Sequence, residues 1–486
     1  MIDDDLSTKV AIIIGEREVT YANFSKHIAH VRDLLEQEAK GESMLGLSLS
    51  LTNYQHWVAH FAAAALGIAT VAMRPDEVTY KDIPVIGPVD PMADTRIIHL
   101  DHLTLSEAEP ERIALSAYRE ASQALAANEK CLHRIVLTSG STGTAKDVLL
   151  CNGDIKKRQQ VNEHFWERYL PEKKGNRRVL CLMGRDTLAG FQLALFGLLN
   201  GEPIIFLAPG PALKSLLRGV EQANHVAGTP ALFITLCDAV KKSPLDRVNT
   251  RSIVSAGTRL ELPVRDRIKK LLGARVFSVY GSTETGFVAD YEMTNYEGDS
   301  SYAGRLCHGV DLQICSDNDE PLAPMIEGRI RVRTEEMTDG YGRNTSEGAF
   351  YDGWFYPGDR GYITSEQDLY VVGRDDDLLN INGEKLLATH LESKLIESGQ
   401  FTDVCVLPYL SSNGKDLLVV MTVSGLVKEE QRSIVTPLIP FVSFKILPVE
   451  TIPRNHMGKI ERKALTEYLR ENLVENSKLE NSGHDV

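Results

Sequence analysis

No run of 18 or more apolar residues occurs in this 486-residue chain, which excludes a hydrophobic helix long enough to span a bilayer. No Cys-x-x-Cys pair occurs either. The seven cysteines, at 131, 151, 181, 237, 307, 315 and 405, form no metal-like cluster with histidine and read as reduced, mostly buried thiols. Cys181 and Cys237 stand in apolar runs, where a small hydrophobe is expected rather than a nucleophile. Positive charge is scarce: 53 Lys and Arg face 67 Asp and Glu, for a net charge of −14. That balance argues against a nucleic-acid surface, and any anion the chain binds must meet locally concentrated cations. The start, Met1-Ile2-Asp3-Asp4-Asp5, lacks the basic and then apolar character of a secretory signal, so a cytoplasmic address is expected. No internal repeat is present.

What is there is ordinary soluble composition, 43% hydrophobic and 25% charged, on a chain too long for one core, so two or three domains are expected. From about Lys9 to Leu207 apolar strand candidates (Val10-Ala11-Ile12-Ile13-Ile14, Leu45-Gly46-Leu47-Ser48-Leu49, Pro203-Ile204-Ile205-Phe206-Leu207) alternate with helical stretches at 27–36, 56–66 and 192–199. The alternation predicts an α/β fold of parallel sheets flanked by helices, and it recurs at Ser252-Ile253-Val254-Ser255 and Arg275-Val276-Phe277-Ser278-Val279. After Asp290 shorter β-rich pieces predict a small distorted barrel over about 291–374. Within it the alternation of Arg329, Arg331 and Arg333 suits a solvated strand face better than an anion site. The charge run Arg374-Asp375-Asp376-Asp377 marks a boundary: 1–374 form a large N-terminal domain, 375–470 a small α+β domain, and 471–486 a polar tail expected to be disordered.

The segment Leu137-Thr138-Ser139-Gly140-Ser141-Thr142-Gly143-Thr144-Ala145-Lys146 follows the strand-like Arg134-Ile135-Val136-Leu137. Its glycines permit a sharp turn in which N–H groups and hydroxyls converge on anionic oxygens, although such residues also build plain surface turns. Its spacing is not that of the Walker loop, because Gly140 and Gly143 are three apart and Asp147 follows Lys146. Further along come Val279-Tyr280-Gly281-Ser282-Thr283-Glu284-Thr285, Gly353-Trp354-Phe355-Tyr356-Pro357-Gly358-Asp359, Val372-Gly373-Arg374-Asp375-Asp376-Asp377 and Pro453-Arg454-Asn455-His456-Met457-Gly458-Lys459-Ile460.

In this order, with the early Val19-Thr20-Tyr21-Ala22-Asn23-Phe24, these motifs resemble those of the adenylate-forming superfamily of acyl-CoA synthetases, peptide-synthetase adenylation domains and luciferases, over nearly the whole chain. The resemblance implies ATP and Mg²⁺ as cofactors. It implies that Thr138, Ser139, Gly140, Ser141, Thr142, Gly143 and Lys146 hold the β- and γ-phosphates. Thr283 would bind an α-phosphate oxygen and Glu284 the Mg²⁺ ion, within the turn that also contains Gly281 and Ser282. Tyr280 would lie against adenine, with Gly257, Thr258 and Arg259 along its other side. Asp359 would accept from the ribose hydroxyls, as an acceptor-only carboxylate suits a diol, and Arg374 would contact ribose or phosphate. Lys459 is implied as the catalytic lysine between substrate carboxylate and α-phosphate, and Asp376 as the hinge about which a mobile C-terminal domain turns. That turn would present the 380–385 segment to an incoming thiol.

Two departures stand out. Pro357 occupies a position where the family usually has threonine, and Leu182 to Gln192 contains Arg185 and Asp186 but neither the gating histidine of many relatives nor the aspartate that holds an α-amino group. A standard amino acid is therefore disfavoured. Phe191, Thr229, Ala256, Ser282 and Phe287 are candidates for the acyl pocket, which would suit an apolar or aryl acid, with core packing as the plain alternative. The expected partners are a small carboxylic acid and CoA. The alternatives are a stand-alone enzyme that loads the phosphopantetheine of a carrier protein, and a nucleotide-binding protein that has lost catalysis.

Overall fold

The computed structural model describes residues 4–74, 80, 82–87, 96–100, 115–139, 145–170, 172–208, 212–342, 349–381, 384–410, 416–440, 442–454, 460–462 and 464–469. Gly140, Ser141, Thr142, Gly143, Lys459 and the 471–486 tail lie outside the described residues, as do the side chains of Ser139 and Asp376.

Two mainly parallel sheets carry the first half of the chain. The smaller runs Ile97–Ile98, Val85–Ile86, Met44–Ser48, Ala69–Met73, Leu132–Ser139, Ala145–Cys151, parallel until the last strand turns back antiparallel. The larger sheet orders Arg275–Ser282, Ser252–Ser255, His225–Gly228, Val179–Cys181, Ile204–Phe206 and Val10–Ile14 in parallel. The strands of the larger sheet are apolar on both faces because both faces are covered, as parallel sheets require. Successive residues serve opposite cores: Ile12, Val179 and Ile204 join one cluster, while Ile13, Leu180 and Ile205 join the other.

The first cluster also takes in Leu45, Leu47, Val136 and Val148 of the smaller sheet, so the two sheets share one core. Helices Tyr21–Glu38, Asn53–Ala65, Ser116–Ala127 and Leu188–Leu199 fill it. Asn53–Ala65 begins at a capping box, in which Gln55 N–H donates to Thr52 Oγ1 (3.2 Å) and Thr52 N–H to Gln55 Oε1 (3.0 Å). The buried hydroxyls of Tyr21 and Tyr118 both donate to the Leu198 carbonyl, at 2.8 and 2.7 Å, which ties two of these helices to the end of a third.

The β-rich segment is laid onto the larger sheet. Gly286–Glu292 pairs antiparallel with Arg275–Ser282, and Tyr302–Leu306, Asp368–Arg374, Asp359–Ile363 and Gly328–Thr334 continue outward from it. The arginine alternation there proves solvated and paired: Arg329 reaches Asp319 and Asp375, Arg331 reaches Gln313, and Arg333 reaches Asp311. Beyond Arg374 a short turn Asp375–Asp377 leads to the hairpin Leu378–Ile381 and Glu384–Leu387. The helix Ala388–Glu397 and the three-stranded sheet Asp403–Leu410, Asp416–Val423, Phe444–Pro448 follow, with hydrophobic clusters of their own.

The shared core buries histidine as well as hydrocarbon. His60 Nδ1 meets Thr70 Oγ1 at 2.9 Å and its Nε2 meets His133 Nε2 at 3.1 Å, while neither ring nitrogen of His56 has a partner among the described residues. Burial holds His56 and His60 well below the usual imidazole range and His133 at about 3. At the start of the central strand His225–Gly228 of the larger sheet burial lowers His225 to about 4, against the pull of Glu172 at 2.6 Å. All four are depressed, so the unfolded chain takes up protons that the native chain refuses as pH falls below about 6.5. The contribution of these histidines to stability is therefore full above that pH and declines below it, by about 1.4 kcal/mol per pH unit for each histidine. Urea unfolding at pH 7.5, 6.5 and 5.5 should show this decline, and His133→Gln should reduce its slope by about one proton. A slope unchanged in H133Q would contradict the assignment.

Candidate active site

Ligand sites in parallel sheets form beyond the carboxyl ends of strands. Here four neighbouring strands, Arg275–Ser282, Ser252–Ser255, His225–Gly228 and Val179–Cys181, end along one edge and lead into Thr283, Ala256, Thr229 and Leu182. The register slips at Tyr280/Gly281, where the strand crosses close over its return partner. A Cβ on Gly281 would lie 2.1 Å from the Gly286 carbonyl oxygen, so only glycine lets the two backbones pass.

Three expected nucleotide contacts are brought together beside that crossing. The Tyr280 hydroxyl donates to Asp359 Oδ2 at 2.6 Å. Arg374, the register partner of Asp359, places Nη1 3.6 Å from Asp359 Oδ1 and donates from Nη2 to the Pro357 carbonyl at 2.9 Å. Burial first, and then the Asp359 charge, push the Tyr280 phenol well above its usual value, so it stays a donor. Pro357 thus contributes its carbonyl, a contact that any residue at this position could make.

The second group converges on the turn Thr283–Thr285. Ser282 Oγ accepts the Thr285 N–H at 3.2 Å and closes the turn. Buried Glu284 accepts the Tyr341 hydroxyl on Oε1 at 2.6 Å. Lys146 Nζ sits 5.0 Å above the same tyrosine ring. Tyr341 is anchored by a bridge to Val148, and the next residue, Gly342, donates its N–H to the Asp147 carbonyl at 2.8 Å. The lysine of one sheet and the glutamate of the other therefore meet across one aromatic side chain.

Beneath the turn lie two buried charged residues. Glu336 accepts the Phe287 N–H on Oε1 at 3.0 Å and is raised to about 7 by burial, partly offset by Arg158 and by that N–H. Arg158, wholly buried, donates to the carbonyls of Glu336, Thr283 and Glu284 at 3.1, 3.2 and 3.3 Å. Asp147 is also fully buried; its Oδ2 accepts the Tyr80 hydroxyl at 2.6 Å and its Oδ1 has no partner among the described residues.

The remaining sequence candidates fall into three groups. Exposed Gly257 (φ +96°) and Thr258 border the strand ends, with Thr229 Cγ2 3.5 Å from where a Gly257 Cβ would stand. Arg259 turns away: its guanidinium donates to Ser393 Oγ (3.0 Å) and to the Val371 carbonyl, and Ser393 donates to Glu261 Oε1 (3.0 Å), which ties this loop to the helix Ala388–Glu397. Phe191 is core, stacked on Trp57 (centroids 5.6 Å apart) and covered by the Arg134 guanidinium at 4.6 Å, with none of its surface exposed. Half-buried Phe287 packs on Phe165 at 5.4 Å, half-buried Ala256 joins the shared core, and Thr229 caps the helix Pro230–Lys242. Arg185 donates to Asn53 Oδ1 and to the Leu49 and Leu51 carbonyls, bracing one sheet on the other, and Asp186 pairs with Arg74 at 3.3 Å.

The donor set suits magnesium held mainly through phosphate. Among the described residues no group of three or more His, Cys, Asp or Glu side chains forms a protein cage. Glu284 instead offers a single carboxylate with one oxygen engaged by Tyr341, and Mg²⁺ is commonly bound by one or two carboxylates plus substrate phosphates and water.

Comparison with known proteins bears on this geometry. The chain is 25% identical over 348 residues to 4-coumarate–CoA ligase CCL1 of Humulus lupulus, covering 68% of this chain and 63% of that protein. It is likewise 25% identical over 349 residues to 4-coumarate–CoA ligase 2 of Nicotiana tabacum, covering 68% and 64%. The matched region thus spans a little under two thirds of these ligases. Among solved structures, ATP-bound MatB from Rhodopseudomonas palustris superposes with a TM-score of 0.79 at 18% identity, over 96% of this chain and 97% of that one. The o-succinylbenzoate CoA synthetase MenE from Bacillus subtilis, in complex with its acyl-adenylate intermediate, superposes at 0.77 and 18%, over 95% and 96%. At that identity the likeness establishes the fold. The AMP-binding enzyme family model matches residues 5–342, more than half of the chain, and the protein belongs to that family.

Proposed function

We propose that the protein activates a small carboxylic acid with ATP, forming an acyl-adenylate and pyrophosphate, and then transfers the acyl group to a thiol, that of CoA. The observation that supports this most strongly is the convergence, within one turn of the Arg275–Ser282 strand end, of Tyr280, Asp359 and Arg374 with Glu284, Tyr341 and Lys146. The first three suit a nucleoside and the second three a metal-bound polyphosphate. The names of the plant ligases and of MenE support CoA as the acceptor.

In this reading the substrate carboxylate attacks the α-phosphorus, and the bond to the β-phosphate oxygen breaks. Both reactants are anions, so the protein's task is charge neutralisation and in-line placement. Asp359, already oriented by Tyr280 and Arg374, accepts from the ribose hydroxyls. Thr283 donates to an α-phosphate oxygen. Lys146 and the 138–143 loop hold the departing pyrophosphate. A magnesium ion held by Glu284 would neutralise phosphate charge. Lys459 would supply its charge between the carboxylate and the α-phosphate, where it counts most as the transition state forms.

Residues 375–470 would then act as a mobile domain turning about Asp376. The flank of the Lys459 segment supports this. Ile460 bridges Arg454, and Arg462 reaches Asp377 at 3.0 Å and Glu392 at 2.7 Å, so the described residues flanking Lys459 are fastened beside the proposed hinge. The acyl acceptor thiol attacks in the second step and AMP leaves.

Pyrophosphate exchange into ATP across a panel of aryl, aliphatic and dicarboxylic acids tests the first step, with CoA and a phosphopantetheinylated carrier protein then compared as acceptors. At least one acid should support exchange, and CoA should take the acyl group. Lys459→Ala should lower exchange by about 100-fold or more, and unchanged exchange in K459A would overturn the mechanism. Asp359→Ala should raise the KM for ATP by about tenfold with a smaller change in the KM for the acid, since it removes charged hydrogen bonds to the nucleotide alone. Equal rises in both would contradict a ribose role.

A further inference from the structure

The helix Asn152–Tyr169 carries Lys156, Lys157 and Arg158 in succession. The two lysines are exposed, with Lys156 paired to Glu129 at 2.9 Å, whereas Arg158 is wholly buried. Among the described residues, the hydrogen-bond acceptors of Arg158 are all backbone carbonyls: Glu336, Thr283 and Glu284. A guanidinium used this way acts on backbone direction, because its rigid fork dictates where the carbonyl oxygens point. The other donors to the turn are neutral: Thr338 N–H to the Glu284 carbonyl at 2.9 Å, and Thr334 Oγ1 to the Thr285 carbonyl at 2.8 Å. Among the described residues Arg158 is the one donor that grips Thr283 and Glu284 together. Its Nη1 is buried without an acceptor among the described residues.

We propose that Arg158 is a positioning residue for metal-nucleotide binding: it holds the Thr283 and Glu284 carbonyls inward, so that the Thr283 hydroxyl and the Glu284 carboxylate face the Mg²⁺–triphosphate. The proposal rests on the role given to this turn above. It separates two halves of the site. Tyr280, Asp359 and Arg374 make no hydrogen bond to Arg158 and bind the nucleoside without it. Thr283 and Glu284 serve the metal and phosphates only while their backbone is held.

The test measures binding of AMP, of ATP with EDTA and of MgATP by calorimetry, on the wild-type chain, Arg158→Lys, Arg158→Met and the same-helix control Lys156→Met. Exchange kinetics with the best acid follow. The lysine variant keeps the charge but cannot span three carbonyls. Both Arg158 variants should weaken MgATP binding by about tenfold or more, the usual weight of a charged hydrogen bond. They should raise the Mg²⁺ concentration needed for half-maximal exchange, leave AMP affinity within about twofold, and leave the KM for the acid unchanged. K156M should behave as wild type. The proposal is overturned if R158K binds MgATP like wild type, or if MgATP and AMP affinity fall in parallel. It is also overturned if wild-type nucleotide binding ignores Mg²⁺. If R158M does not fold, R158K decides. Failure of every acid to support exchange would instead count against the proposed reaction, while the binding comparison would still decide the role of Arg158.

Discussion

Two mainly parallel sheets are held against one shared core of helices, and the meeting of Lys146 with Glu284 depends on that shared packing. Lys146 belongs to the smaller sheet and Glu284 to the larger, yet they meet through Tyr341 because the cluster joining Leu45, Leu47 and Val148 to Ile12, Phe191 and Phe277 fixes the sheets together. Arg158 makes the same connection from below: its helix follows the smaller sheet's last strand, and its guanidinium reaches the turn of the larger one. The polar atoms at the edge are thus positioned by hydrocarbon behind them. The buried histidines of that core, neutral at physiological pH, set an acid limit on the same framework.

Local patterns made much of this readable in the sequence. Strands buried on both faces leave unbroken runs such as Val10 to Ile14, and a glycine forced by a backbone crossing, Gly281, leaves a mark beside Tyr280. What escaped notice depends on partners distant along the chain. Arg158 looks like the third member of a solvated basic run, and nothing local distinguishes it from Lys156 and Lys157; its partners are 125 to 178 positions away. Tyr341 and Glu336 sit in a segment with no motif of its own. For Phe191 the sequence left pocket and core packing both open, since a helix face toward a pocket and one toward Trp57 have the same spacing. The position of Arg259 next to Gly257 and Thr258 suggested the adenine edge, whereas its long side chain reaches Ser393.

The overall charge of −14 also acquires a structural sense. Among the described residues the cations of this site are held by neutral or partly compensated partners: Lys146 by an aromatic face, Arg374 by one carboxylate and a carbonyl, Arg158 by three carbonyls. Such cations keep most of their field for a polyanion, which an acidic surface elsewhere does not attract. Crystals of the chain with a non-hydrolysable ATP analogue and Mn²⁺ in place of Mg²⁺ would test the account most directly. It predicts an anomalous manganese peak within about 2.2 Å of a Glu284 carboxylate oxygen, with the ribose hydroxyls on Asp359. Manganese bound away from Glu284, or a nucleotide that leaves Asp359 on Tyr280 and Arg374 alone, would contradict it.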